Sequence, residues 1–113
     1  MNIFGGRPHF RRYGAILPRM LKRRRDASGK VKVTFALPDS GECVSVVGDF
    51  NGWDPWVSPL RRRSNGTRSV TVALDRGTPY TFRYLSGGQF FDEAEADEWP
   101  PNGYGGTHSV IVP

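Results

Sequence analysis

The chain has 113 residues, 37% hydrophobic and 24% charged, with 14 glycines and 9 prolines, which allows one small domain with an extension and excludes two ordinary domains or a long helical bundle. Its single cysteine, Cys43, cannot close an internal disulfide, which excludes a disulfide-stapled secreted scaffold and points to a reducing, cytoplasmic setting. The net charge of +5 is unevenly spread, with nine Lys/Arg against Asp26 alone in residues 1–30 and seven against ten Asp/Glu in residues 31–113, so the basicity describes a tail and the remainder is mildly acidic.

In chain order, residues 1–29 read as a basic, disordered N-terminal arm. Gly5-Gly6, Pro8, Gly14, Pro18 and the run KRRRDASGK interrupt any apolar stripe, although Ile16, Leu17, Met20 and Leu21 also fit a short helix over 15–25. The arm has no apolar h-region with a cleavage site, so no signal peptide is expected, and no run reaches the length of a membrane span.

From residue 30 onward the period is two. VKVTFAL places Val31, Val33, Phe35 and Leu37 on one face, and Pro38-Asp39-Ser40-Gly41 turns the chain into a second strand, CVSVVG. After the loop GDFNGWDPW, residues 58–62 form an edge strand bearing arginines, and SNGT forms a hairpin turn. SVTVAL and YTFRYL alternate next, SGGQ closes a hairpin onto Phe90-Phe91, and HSVIV ends the chain beyond the loop DEAEADEWPPNGYGGT. About seven short strands between turn signals predict an all-β, immunoglobulin-like β-sandwich over 30–113. The spacing alone also accommodates a small barrel.

Catalytic and metal chemistry find little support in these residues. His9 and His108 have no nucleophile or acid at a recognisable spacing. Asp92, Glu93, Glu95, Asp97 and Glu98 crowd one loop and read as solvated charge, because a glycosidase pair must be held apart across a cleft. One cysteine gives no zinc spacing, and the acidic loop lacks a calcium pattern, so no metal or cofactor is expected. Lys22–Arg25 admits contact with phosphates, RNA or an anionic membrane surface, without any accompanying nucleic-acid motif.

The aromatic residues carry more information. Trp53, Trp56 and Trp99 all fall in expected loops, with Tyr104 in the same loop as Trp99. A loop tryptophan either folds back to cap a sandwich end or is displayed. A displayed ring beside hydrogen-bonding groups suits a hexose, whose apolar C–H face stacks while its hydroxyls bond around the edge.

VSVVGDFNGWDPWVSPLRR, followed by FRYLSGGQFF and PNGYGGTHSVIV, resembles the family-48 carbohydrate-binding modules, which include the isoamylase N-terminal (early set) domain and the glycogen-binding module of the AMP-activated protein kinase β subunit. The likeness covers about residues 30–112. It implies an immunoglobulin-like sandwich that binds α-1,4-linked glucan, glycogen- or starch-like, without catalysis. By the same resemblance, Trp53 takes the first stacking position. Arg83 stands for a lysine that bonds sugar hydroxyls, Phe90 for a second stacking tryptophan, Tyr104 for an apolar residue against the glucan, and His108 for a hydroxyl-binding asparagine. Trp56 has no counterpart in that set. The implied partners are an α-glucan oligosaccharide or polysaccharide and, beyond it, a glycogen-metabolising enzyme or regulatory protein. A regulatory or scaffold domain using the same fold for protein binding is the alternative.

Overall fold

The computed structural model describes residues 21–113. The first twenty residues, including His9, most of the expected arm and the start of the alternative helix, lie outside the described residues. The described chain forms β1 (Leu21–Arg25), β2 (Lys30–Pro38), β3 (Ser45–Gly48), a 3-10 turn (Asp49–Asn51), β4 (Arg61–Arg62), β5 (Thr67–Asp75), β6 (Tyr80–Ser86), β7 (Gln89–Phe91) and β8 (Ser109–Ile111). One antiparallel sheet runs β1-β2-β5-β4, and the other runs β3-β6-β7 with β8 also paired to β6. First, second, fifth and fourth strands opposite third, sixth and last is the order of an immunoglobulin-like sandwich.

The last strand of that pattern is broken. β6 pairs with β3 through Gly48↔Phe82 and Val46↔Tyr84, so β8, at Phe82↔Ser109, and β7, at Tyr84↔Phe91, share its opposite edge. The chain leaves the sheet after Phe91 and returns at Ser109, beside Arg83, and residues 92–108 form the excursion between.

The two-residue period puts Val31, Val33, Phe35 and Leu37 of β2 inside, with Leu74 of β5. Val46, Phe82, Tyr84 and Ile111 face them from the second sheet. Phe35 stacks on Phe50 at 5.5 Å and meets Phe82 edge-on at 5.1 Å. Each such buried side chain contributes about 1.5–3 kcal/mol, a large share for a core this thin.

Residues 21–25 belong to the sheet, and not to the arm or helix that the sequence alone suggests. Leu21, only 2% exposed, pairs with Phe35 and joins the core. One apolar residue ahead of four charged ones shows no period by itself, and the neighbouring strand is what gives this segment its conformation. Beyond β2, Asp39 Oδ1 accepts from Gly41 N at 2.9 Å and from Arg68 Nε at 2.8 Å, and its Oδ2 accepts from Arg62 Nε at 2.9 Å. The carboxylate thereby relieves the like-charge pairing Arg62↔Arg68 across β4 and β5. These hydrogen bonds and charges, the Gly41 N–H first, hold the Asp39 pKa down at about 2.

Gly48 marks the closest approach of β3 to its neighbours. A Cβ there would lie 2.6 Å from Thr81 O and 2.7 Å from Phe82 Cβ. Gly48→Ala is expected to cost about 2–4 kcal/mol and to lower Tm by roughly 10 °C or more; a melting curve within a few degrees of wild type would contradict this. A depressed carboxylate contributes stability that is present above its unfolded pKa and lost as pH falls towards the folded value. Thermal melts should therefore show wild type losing stability between its ordinary value of 3.8 and about 2, whereas Asp39→Asn should melt lower at pH 7 and lose less over that acid interval.

Candidate functional site

The loop after β3 is built around Asn51. Its Oδ1 accepts from Gly48 N at 3.0 Å, and its Nδ2 donates to Val46 O at 3.0 Å and Ser58 Oγ at 3.2 Å, so one side chain ties both ends of the loop to β3. Gly52 ends the 3-10 turn at φ 67°, the left-handed region open to glycine. Trp53 follows at φ 59°, the one positive-φ non-glycine residue among those described, which costs about 1–2 kcal/mol. Its N–H donates to Gly48 O at 3.0 Å and its Nε1 to Asp49 Oδ1 at 3.2 Å, while Asp49 Oδ2 accepts from Thr81 N at 2.8 Å. The half-buried indole lies against His108, with ring centroids 5.7 Å apart and planes inclined at 50°.

A second pair stands on the same sheet. Phe82 and Tyr84 point into the core, so Arg83 between them points outward, as does Phe90, which pairs with outward-facing Leu85. The Arg83 guanidinium carbon is 5.5 Å from the centroid of the Phe90 ring, a cation–π distance, and Phe90 is 51% exposed. Arg83 Nε donates to Asp92 Oδ1 at 3.1 Å. Among the described residues its terminal nitrogens have no acceptor, which leaves N–H groups for a ligand.

Asp92 joins the two pairs. Besides Arg83 it accepts from Ser109 Oγ at 3.1 Å and from Thr107 Oγ1, the residue before His108. Trp53–His108 and Arg83–Phe90 thus form one connected row on the outer face of the second sheet. Tyr104 stands apart. It is 94% exposed in the 101–107 loop, where its backbone N–H donates to Asn102 Oδ1 at 2.8 Å, and it touches none of the other four expected site residues.

The acidic segment is more structural than its charge suggested. Glu93 is 2% exposed, its Oε1 accepting from Tyr84 Oη at 2.6 Å and its Oε2 from Glu95 N at 2.8 Å. Burial raises the Glu93 pKa against these two bonds, and burial together with the neighbouring carboxylate raises that of Tyr84 well above its ordinary range. Glu93 O accepts from Trp99 Nε1 at 2.8 Å, so Trp99 braces the excursion. Asp97 binds Arg23 at 2.9 Å and accepts from Val112 N at 2.7 Å. Solvated charge therefore describes only part of the cluster. Asp49 and Asp92 were missed as positioning groups, and their signal was present: each adjoins an expected contact, Asp49 in the GDFNGW turn and Asp92 at a strand end. Among the described residues no group of three or more His, Cys, Asp or Glu could hold a metal ion, and no helix is long and apolar enough to cross a membrane.

No family model matches the chain. It is similar to an amylopullulanase of Thermoanaerobacterium thermosulfurigenes, 34% identical over 74 residues, which are 61% of this chain and 4% of that protein. It is also similar to a 1,4-alpha-glucan branching enzyme of Xanthomonas campestris pv. campestris, 39% identical over 44 residues, which are 38% of this chain and 6% of the enzyme. The chain thus spans only 4% and 6% of these relatives' lengths, and the second is named for 1,4-alpha-glucan.

Proposed function

We propose that this domain binds α-1,4-linked glucan, of the glycogen or starch type, and does not catalyse a reaction on it. The observation that carries the reading is the connected row Trp53–His108–Arg83–Phe90 on one sheet face, fixed by Asp49 and Asp92. Two rings supply stacking surfaces, and the Arg83 terminal nitrogens and the His108 imidazole supply donors and acceptors to hydroxyls at the sugar edge. Tyr104 would line the site from its loop once a ligand is present. The likeness to α-glucan enzymes supports the ligand class.

The carboxylates beside this row hold structure. Asp92 is bonded to Arg83, Ser109 and Thr107, and Glu93 is buried against Tyr84. That engagement favours a binding module over a hydrolase, which needs a free acid and base flanking the bond. Exposed Cys43 fits a reducing, cytoplasmic compartment. A regulatory or scaffold module that binds protein is the rival reading, which fully displayed Tyr104 would serve equally.

Two stacking contacts of about 1 kcal/mol each beyond contact area, with a few exposed hydrogen bonds, place the binding free energy at about −4 to −6 kcal/mol, or millimolar to tens of micromolar. Titration with β-cyclodextrin or maltoheptaose should give a saturable change in tryptophan fluorescence, lost in Trp53→Ala with the fold intact by circular dichroism. No response at millimolar sugar would sink the glucan reading. Asp92→Asn keeps the shape but removes the charge that orients Arg83, and should reduce affinity about 3- to 10-fold in calorimetry; unchanged affinity would remove Arg83 from the contact set.

A further inference from the structure

Trp56 takes no part in the connected row, yet it is 88% exposed, beside Val57 at 59%. Its backbone is held on both sides. Asp54 Oδ1 accepts from Trp56 N at 2.9 Å, Asp54 O accepts from Val57 N at 3.3 Å, and Pro55 O accepts from Ser45 Oγ at 2.7 Å. Ser58 O then accepts from Val46 N at 3.1 Å. Because the turn is already fixed, a ligand that settles on the indole need not order the backbone beneath it.

The anchoring also fixes where the Trp56 backbone stands. Val46 is fully buried, so Ser45 beside it belongs to the outer face. Ser45 pairs with Leu85, and Leu85 with Phe90. The turn that carries Trp56 is therefore tied to the transverse row that ends at Phe90, with Ser45 and Phe90 about 10 Å apart across two strand spacings. Trp56 is three residues from Trp53, which limits their Cα separation to about 11 Å. These backbone separations are within the span of a single oligosaccharide.

We infer that Trp56 is a third stacking platform for the α-glucan, engaged by chains long enough to run past the Trp53–Phe90 pair and not by short ones. This rests on the glucan-binding reading and adds to it a preference for chain length.

Calorimetric titration of the full chain with maltotriose and maltoheptaose, for wild type and Trp56→Ala, tests it. Trp56→Ala should bind maltoheptaose about 5- to 10-fold more weakly, bind maltotriose as wild type does, and melt within about 1 °C of wild type, since the ring is exposed. Trp56→Phe should recover part of the loss. Equal maltoheptaose affinity in wild type and Trp56→Ala would overturn the third platform while leaving the glucan reading standing. An equal loss for both sugars, or a fall in Tm parallel to the loss, would overturn it in favour of a structural role. Failure of wild type to bind either sugar would overturn the underlying reading as well.

Discussion

A carboxylate set where the last strand leaves its sheet holds the candidate face together. Breaking a strand exposes backbone and separates residues that a continuous ladder would keep in register. Asp92 sits at the exit, and its oxygens accept from Ser109 at the point of return, Thr107 just before it and Arg83 on the adjoining strand. Glu93 N donates to the same Ser109 hydroxyl at 2.8 Å. The excursion is thereby closed at its base, and it brings back His108 to meet Trp53 of the loop after β3.

The GDFNGW loop solves the complementary problem of holding an aromatic ring in an unfavourable backbone conformation. The left-handed φ of Trp53 costs about 1–2 kcal/mol, and its two hydrogen bonds return about 0.5–1.5 kcal/mol each. These terms nearly cancel, so the position is fixed chiefly by its surroundings. Asn51 clamps the turn, Phe50 plants it between Phe35 and Tyr80, and Asp49 links the indole to β6. Every residue of the motif from Gly48 to Trp53 has a separate task, which explains why the stretch is informative as a string.

Strands with clean alternation were legible without coordinates. VKVTFAL, SVTVAL and YTFRYL follow the period of a half-buried sheet, and the turns between them contain the expected Gly, Asn and Asp. β1 was not legible, because its single buried residue, Leu21, acquires meaning only from Phe35 opposite. The acidic loop misled for a related reason: the sequence displays five carboxylates without revealing that Tyr84 is buried with its hydroxyl aimed at Glu93. At the candidate site, spacing gave no hint of the pairing between Trp53 and His108, more than fifty residues apart, and the resemblance alone put them in one set. Trp56 shows the opposite limit, since pattern left it between edge cover and platform while its exposure removes the first of these.

Among the described residues β1 lies at the edge of the first sheet, and four of its five residues are Lys or Arg. Lys22 and Arg24 project from the face opposite the aromatic row, and Arg24 stands directly across from Lys32. An edge charged in this way repels the approach of another strand, a common defence of sheet proteins against edge-to-edge aggregation. The second sheet can thus carry an exposed Phe90 while, among the described residues, the first ends in a strand that discourages self-association.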